Sequence, residues 1–450
     1  MRCMLEMRRS KRLPLLSLVA VIAVGLIHPA DTSGQSNPVG LGLGANFFPI
    51  LPWDAQHGWK EPFVDRKQGL ASIAECNFTV AGFVQPRDLP LCEKLGLKAF
   101  IAPPPDGPPW ARPWRTLTDD EIGTHIRKMI DHAGDSPAIL GYFLMDEPGT
   151  PFFPALSKAV AAIKKHAPGK LAYINLLPGY ATLGAPDRSQ LGASSFTEYL
   201  ERFVTEVKPQ FISYDNYMVQ YSDDLRSPPR TASYFNDLLT VRRVALQHGL
   251  PFWNIVSSNQ IRPWTPIPSP SNLMLQAYTT LAAGGRGVSW YTFYSGVRGP
   301  GYGYAPIDGD GNRTESFQYL QWVNRQIRTV GPMMNRLKSI GVCFSNPLLV
   351  EGLPTLPGKL VKGVEARASI KPPSETRPPV MVGEFASQDG GDYVMLVNLS
   401  LQQSAHILVQ TQKEYKDKRV FSAVDGRWIP LDEAKGHWLV AGQGVLLKLE

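Results

Sequence analysis

Eight apolar, β-rich runs recur between residues 41 and 293, at about Leu41–Leu51, Asn77–Val84, Leu97–Ala102, Ile139–Met145, Leu171–Leu176, Phe211–Tyr217, Phe252–Val256 and Gly287–Phe293. They are nearly continuous in hydrophobicity rather than alternating, as strands buried on both faces should be. Amphipathic stretches with legible ends lie between them. Thr118, Asp119, Asp120 and Glu121 form a capping box that opens a helix stopping near Gly134. Pro154 to His166 carries Lys164 and Lys165 in its last turn, where cations suit the helix dipole, and Pro168-Gly169 ends it. Ser195–Val207, Ala232–His248 and Ser271–Ala283 supply three more helices, and Thr314–Leu337 a long last one interrupted around Gly331-Pro332.

Eight strands alternating with helices predict an α/β fold, a (β/α)8 TIM barrel over residues 39–338. A doubly wound open sheet would also alternate. It usually needs fewer strands, however, and no glycine-rich phosphate-binding turn follows any strand here. Past Gly341 the pattern changes to short strand candidates at Val380–Glu384, Tyr393–Val397, Ala405–Val409, Lys418–Ser422, Trp428–Pro430 and Val445–Leu449. Gly390-Gly391, Asp425-Gly426 and the Gly442–Gly444 segment separate some of them, so residues 341–450 read as a C-terminal antiparallel β-sandwich.

Charge changes this picture only at the start. Arg8, Arg9, Lys11 and Arg12 precede a charge-free, mostly apolar stretch from Leu13 to Ile27, which reads as a signal peptide over residues 1–34. The expectation is a secreted or periplasmic protein, with an uncleaved N-terminal anchor as the alternative. Residues 1–12 alone carry five basic residues and one acid, a net +4 of the formal +7. The remainder is near neutral, and no later segment clusters Lys and Arg with aromatics, which argues against nucleic acid as a partner. Cys76, Cys92 and Cys343 show no metal-ligand spacing and read as buried free thiols. No cofactor and no metal is expected.

In a barrel the active site lies at the carboxyl ends of the strands. The fourth run ends in Asp146-Glu147-Pro148, two adjacent carboxylates directly after a buried apolar strand. Burying acids without a role is costly, so both should sit at the rim facing the pocket. Asp215 ends the sixth run. Around these three candidate catalytic acids the strand ends offer Asn46, Trp53, Asn175, Tyr214, Tyr217, Trp253, Trp290 and Tyr294, with Asp54 just beyond the first run. Aromatic faces stack on sugar rings, and amides and phenols hydrogen-bond their hydroxyls, so a carbohydrate ligand is expected. Hydrolysing a glycosidic bond needs one carboxylic acid to protonate the leaving oxygen and a second group at the anomeric centre. Adjacent like charges raise the pKa of one member, which suits a proton donor.

The Asp146-Glu147-Pro148 motif resembles the acid/base motif of clan A glycoside hydrolases, usually Asn-Glu-Pro. It is also similar to the Asp-Glu pair of substrate-assisted β-N-acetylhexosaminidases. Gly391 to Asn398 resembles the terminal β-domain of many such enzymes. The resemblance implies hydrolysis of O-glycosidic bonds, with Glu147 as general acid. One departure stands out. The clan A nucleophile is a Glu ending the seventh strand, and Phe252 to Ser258 contains none. Three readings stay open: Asp215 as nucleophile or base, Asp146 orienting a substrate acetamido group, or a degenerate barrel that binds sugars without cleaving them.

Overall fold

The structure, a computed structural model, describes residues 43–53, 69–104, 106–182, 189–221, 225, 228–261, 263, 265–295, 303–368 and 377–450. The expected leader and Asp54 lie outside the described residues.

Eight parallel strands form one sheet: β1 (Ile50–Trp53), β2 (Val80–Val84), β3 (Lys98–Ile101), β4 (Ile139–Asp146), β5 (Leu171–Leu176), β6 (Ile212–Asp215), β7 (Phe252–Ser257) and β8 (Val288–Tyr291). From β2 to β8 each strand pairs with its sequence neighbours, and β1 pairs with β8, so the order β1-β8-β7-β6-β5-β4-β3-β2 wraps into a barrel. The last seam, between β1 and β2, closes differently. Thr79, one residue before β2, donates its backbone N–H to the Ile50 carbonyl at 3.2 Å. Its hydroxyl accepts the Ile50 N–H at 2.8 Å and donates to the Phe48 carbonyl at 2.7 Å.

The helices are α1 (Leu70–Glu75), α2 (Leu89–Leu95), α3 (Asp119–Ala133), α4 (Phe153–His166), α5 (Phe196–Arg202), α6 (Pro228–Gln247), α7 (Pro270–Ala282) and α8 (Glu315–Met334). The capping box of α3 forms as read: the Glu121 N–H donates to Thr118 Oγ1 and the Thr118 N–H to Glu121 Oε2. The expected interruption of the last helix does not occur. Pro332 lies inside α8, but in its final turn, where little helix remains beyond it to be disrupted. Beyond it Leu337 already opens β9 (Leu337–Phe344).

The barrel interior is an aromatic plug. Tyr173 stacks between Phe100 (4.7 Å) and Phe211 (5.3 Å), and Trp253 packs on Phe211 at 4.5 Å. Trp53, the last residue of β1, sets its edge against Phe83, Phe143 and Tyr173 above them. The mouth therefore has a dry, rigid floor.

The C-terminal segment forms two antiparallel sheets. One joins β10 (Val361–Ala368), β13 (Ala405–Thr411) and β16 (His437–Leu439). The other orders β15 (Trp428–Pro430), β14 (Lys418–Phe421), β17 (Gly444–Leu449), β12 (Asp392–Asn398), β11 (Val380–Ser387) and β9. Val380, Val382, Val394, Leu396, Ile407 and Leu447 fill the space between the sheets, giving the sandwich. Strands β9, β10 and β16 were not foreseen from the sequence. The opposite face of the larger sheet packs on α7, whose residues from Asn272 to Ala282 are all buried. Gly383 and Gly444 allow that approach: a Cβ would lie 2.1 Å from the Ala282 carbonyl oxygen at the first and 2.4 Å from the Tyr278 ring at the second. The three predicted thiols are free and buried. Among the described residues no helix is long and apolar enough to cross a membrane.

Candidate active site

A register shift in β4 decides where the acid pair points. Phe143 pairs with Tyr173, but Met145 pairs with Ile174 and Asp146 with Asn175, so one extra residue is accommodated between Phe143 and Met145. Phe143 faces the barrel interior. Strict alternation from there would send Asp146 outward to the helices; the bulge turns it inward beside Asn175. The Glu147 N–H then extends the ladder to the Asn175 carbonyl at 2.8 Å. Glu147 adopts a left-handed backbone, φ +48°, a conformation uncommon for a residue with a side chain.

One amide organises the acids. Asn175 Nδ2 donates one hydrogen to Asp146 Oδ1 at 3.0 Å and the other to Asp215 Oδ1 at 2.9 Å. Its own carbonyl oxygen accepts the Ser213 hydroxyl at 3.1 Å, which fixes the amide's orientation. Three consecutive strands thus hold one network: Asp146 on β4, Asn175 on β5, Ser213 and Asp215 on β6.

The Glu147 and Asp215 carboxyls face each other, and the contact between them bears on the protonation of both. Asp215 is 1% exposed; burial first, then the charges of Glu147 and Asp146, push its carboxyl well above the ordinary carboxylate range. Glu147 has surface open at the rim, but its carboxyl turns in toward Asp215. The surrounding protein withholds water there and raises its pKa, while the bond to Asp215 opposes that rise. Two acids poised to hold protons in a mouth is the arrangement expected of proton-transfer chemistry.

Tyr217 stands beside the acids, its ring 5.1 Å from that of Tyr291. Burial, with the charges of Asp215 and Asp146 and the phenols of Tyr291 and Tyr180, drives its own phenol well above the usual range. Tyr180 and Tyr291 were not among the candidates. Tyr291 was recoverable, because it ends β8 at the register of Trp53. Tyr180 lies in the helical turn Gly179–Thr182, which no pattern along the chain marked.

Several sequence candidates lie elsewhere. Asn46 is corrected outright: β1 starts at Ile50, so Asn46 precedes the strand, at the end of the barrel opposite the mouth, where its Oδ1 accepts from Arg336 at 3.2 Å. Tyr214 alternates with inward Ser213 and Asp215, so its ring joins the core between barrel and helices. Trp290 does the same on β8 and donates its indole N–H to Asn324 Oδ1 of α8 at 2.9 Å. Trp253 belongs to the plug beneath the mouth, and Tyr294 is buried in the barrel–helix core, bridging to Ile307. Trp53, Asn175, Tyr217 and the three acids come together at the mouth. β7 ends in Ser257, Ser258 and Asn259, all buried and none acidic.

The chain superposes on a catalytic mutant of a family 42 β-galactosidase from G. stearothermophilus at a TM-score of 0.60 and 9% identity, over 90% of this chain and 98% of that one. A family 5 glycoside hydrolase from Bacteroides vulgatus gives 0.50 and 12% identity over 90% and 89%. The fold is that of these barrel glycoside hydrolases. A β-galactosidase from the psychrophilic Marinomonas ef1 overlaps less fully, at 0.48 and 10% identity over 66% of this chain; the chain spans 62% of that enzyme's length, under two thirds. No protein-family model and no curated protein matches the sequence.

On this barrel, buried acids make stability depend on pH. Asp237 of α6 is buried, and desolvation pushes its carboxyl up to about 7. Glu147 and Asp215 are raised as well. A raised folded-state pKa means stability that is complete below the unfolded value and is lost as pH rises through the folded value. The melting temperature is therefore expected to fall as pH rises from about 4 to about 7, by an amount worth a few kcal/mol. A calorimetric series that is flat or rises over that window would contradict the assignment.

Proposed function

We propose that this protein hydrolyses O-glycosidic bonds of a glycan or oligosaccharide, with Glu147 delivering a proton to the leaving oxygen. The observation that carries this is the carboxyl pair of Glu147 and Asp215, facing each other at the carboxyl end of a barrel where burial favours the protonated form of both. Glu147 is the member at the rim, where a ligand can reach it. As it gives up its proton, Asp215 behind it can donate a hydrogen bond to the carboxylate that forms. Asp215 touches Glu147, whereas the two carboxyls of a retaining or inverting glycosidase flank the scissile bond about 5–9.5 Å apart. Sharing and supplying the proton therefore suits Asp215 better than attack at the anomeric carbon. Asp146, held by Asn175, is the remaining anionic group at the mouth, and it suits stabilising that centre or orienting an acetamido substituent. Trp53, Tyr217, Tyr180 and Tyr291 supply ring faces and phenols for the sugar. The N-terminal leader supports action in the periplasm or outside the cell.

The end of β7 favours a second reading, a carbohydrate-binding protein on a barrel that has lost its second catalytic carboxylate. A panel of aryl glycosides and oligosaccharides, with and without 2-acetamido groups, separates the two. Turnover confined to acetamido sugars would support Asp146 as the orienting group. Calorimetric binding of a glycan with no product after prolonged incubation would sink the hydrolase reading.

A further inference from the structure

Asp237 lies behind the mouth and touches none of the acids, yet two mouth loops meet at it. It projects from α6, a 20-residue helix, and is 6% exposed. One oxygen, Oδ2, accepts the backbone N–H of Gly179 at 2.8 Å and the side-chain amide of Asn216 at 2.6 Å. Gly179 opens the turn after β5, and Asn216 directly follows β6. The next residue in each loop is a mouth tyrosine: Tyr180 after Gly179, Tyr217 after Asn216.

Both anchors are built for this contact. A Cβ on Gly179 would stand 2.1 Å from Asp237 Oδ1, so only glycine lets the loop come this close. Asn216 is fully buried, takes the Met218 N–H on its Oδ1 at 2.9 Å, and joins its own N–H to the Ile255 carbonyl of β7 at 3.2 Å. Burying a carboxyl is costly even with two hydrogen bonds, and a site that bears the cost has something to hold.

We propose that Asp237 is a positioning residue that ties the β5 and β6 loops to a common point and so fixes the spacing of Tyr180 and Tyr217, the width of the slot a sugar ring would enter. That such a ring enters rests on the proposed function; the coupling of the two loops does not.

Hydrogen exchange on the full chain tests the coupling without any substrate, reading Gly179–Thr182 and Met218–Tyr221. Three variants are compared. Asp237→Ala removes the shared acceptor, Gly179→Ala pushes at it from the β5 loop alone, and Asp237→Asn keeps an acceptor oxygen of the same shape. Asp237→Ala and Gly179→Ala should each speed exchange in both segments, while Asp237→Asn stays near the parent protein. Faster exchange confined to the mutated loop, or in neither segment, would overturn the proposal, whatever the melting temperature does. On a glycoside that is turned over, Asp237→Ala should raise KM roughly 10-fold or more with kcat changed by less than about 3-fold; a fall in kcat alone would also overturn it. If no glycoside is turned over, the hydrolase reading fails and the exchange result still decides this one.

Discussion

Glu147→Gln is expected to lower kcat on a cleavable glycoside by roughly 10²- to 10⁴-fold, the usual contribution of a positioned proton donor. The amide keeps the size and hydrogen-bonding reach of the carboxyl but has no proton to deliver to a leaving oxygen. Stability should not suffer. The substitution removes one of three acids from a cluster in which the charges of Glu147 and Asp146 already raise Asp215. Asp215 can still donate to the new carboxamide oxygen. A variant that is inactive yet melts at or above the parent temperature therefore separates chemistry from folding. Full retained activity on the true substrate would remove Glu147 from the mechanism. An aryl glycoside with a good leaving group should be affected less than one with a poor leaving group, because it needs less help from a proton.

The second large effect is expected far from the mouth. Glu384 on β11 is fully buried, and its carboxylate accepts three consecutive backbone N–H groups, from Lys359 at 2.8 Å, Leu360 at 2.8 Å and Val361 at 2.9 Å. These belong to the turn that leads into β10, so one side chain from the larger sheet sets the start of the smaller one. Gly341 and Gly358 make room for it, since a Cβ at either would lie 2.4 Å from a Glu384 oxygen. Glu384→Ala leaves two buried donors and one half-buried donor without their acceptor and opens a cavity. The expected loss is about 3–5 kcal/mol, as for breaking one side of a buried charged contact. Urea unfolding measures it, and an unchanged midpoint would show that this turn is held by other means.

The barrel was legible because strands buried on both faces advertise themselves as short apolar runs, and all eight runs became strands. The acid pair was legible for the same reason, because charge at the end of such a run stands out. What could not be read was direction. The bulge that turns Asp146 inward leaves no trace in composition, and Asn46 was misplaced because the apolar run around it begins well before the first hydrogen-bonded residue. The aromatic candidates were over-counted for a simpler reason. Period-two alternation from Asp215 already sends Tyr214 outward, whereas Trp290 and Trp253 were read as mouth residues from proximity to a strand end alone. Tyr180, Asp237 and the bridging role of Asn175 come from contacts 21 to 58 residues apart, which no local pattern encodes.

The Thr79 seam has a consequence for how the molecule breathes. Seven of the eight strand boundaries are zipped by backbone ladders, while the eighth depends largely on one hydroxyl and one amide. A ring made this way has a preferred place to part, and under pulling force or mild denaturant the first rupture should run along that line. Trp53 stands at its upper end, where it roofs the aromatic plug. Opening the seam would let water onto the floor beneath the acids, and Asp215 would then lose part of the burial that favours its protonated form.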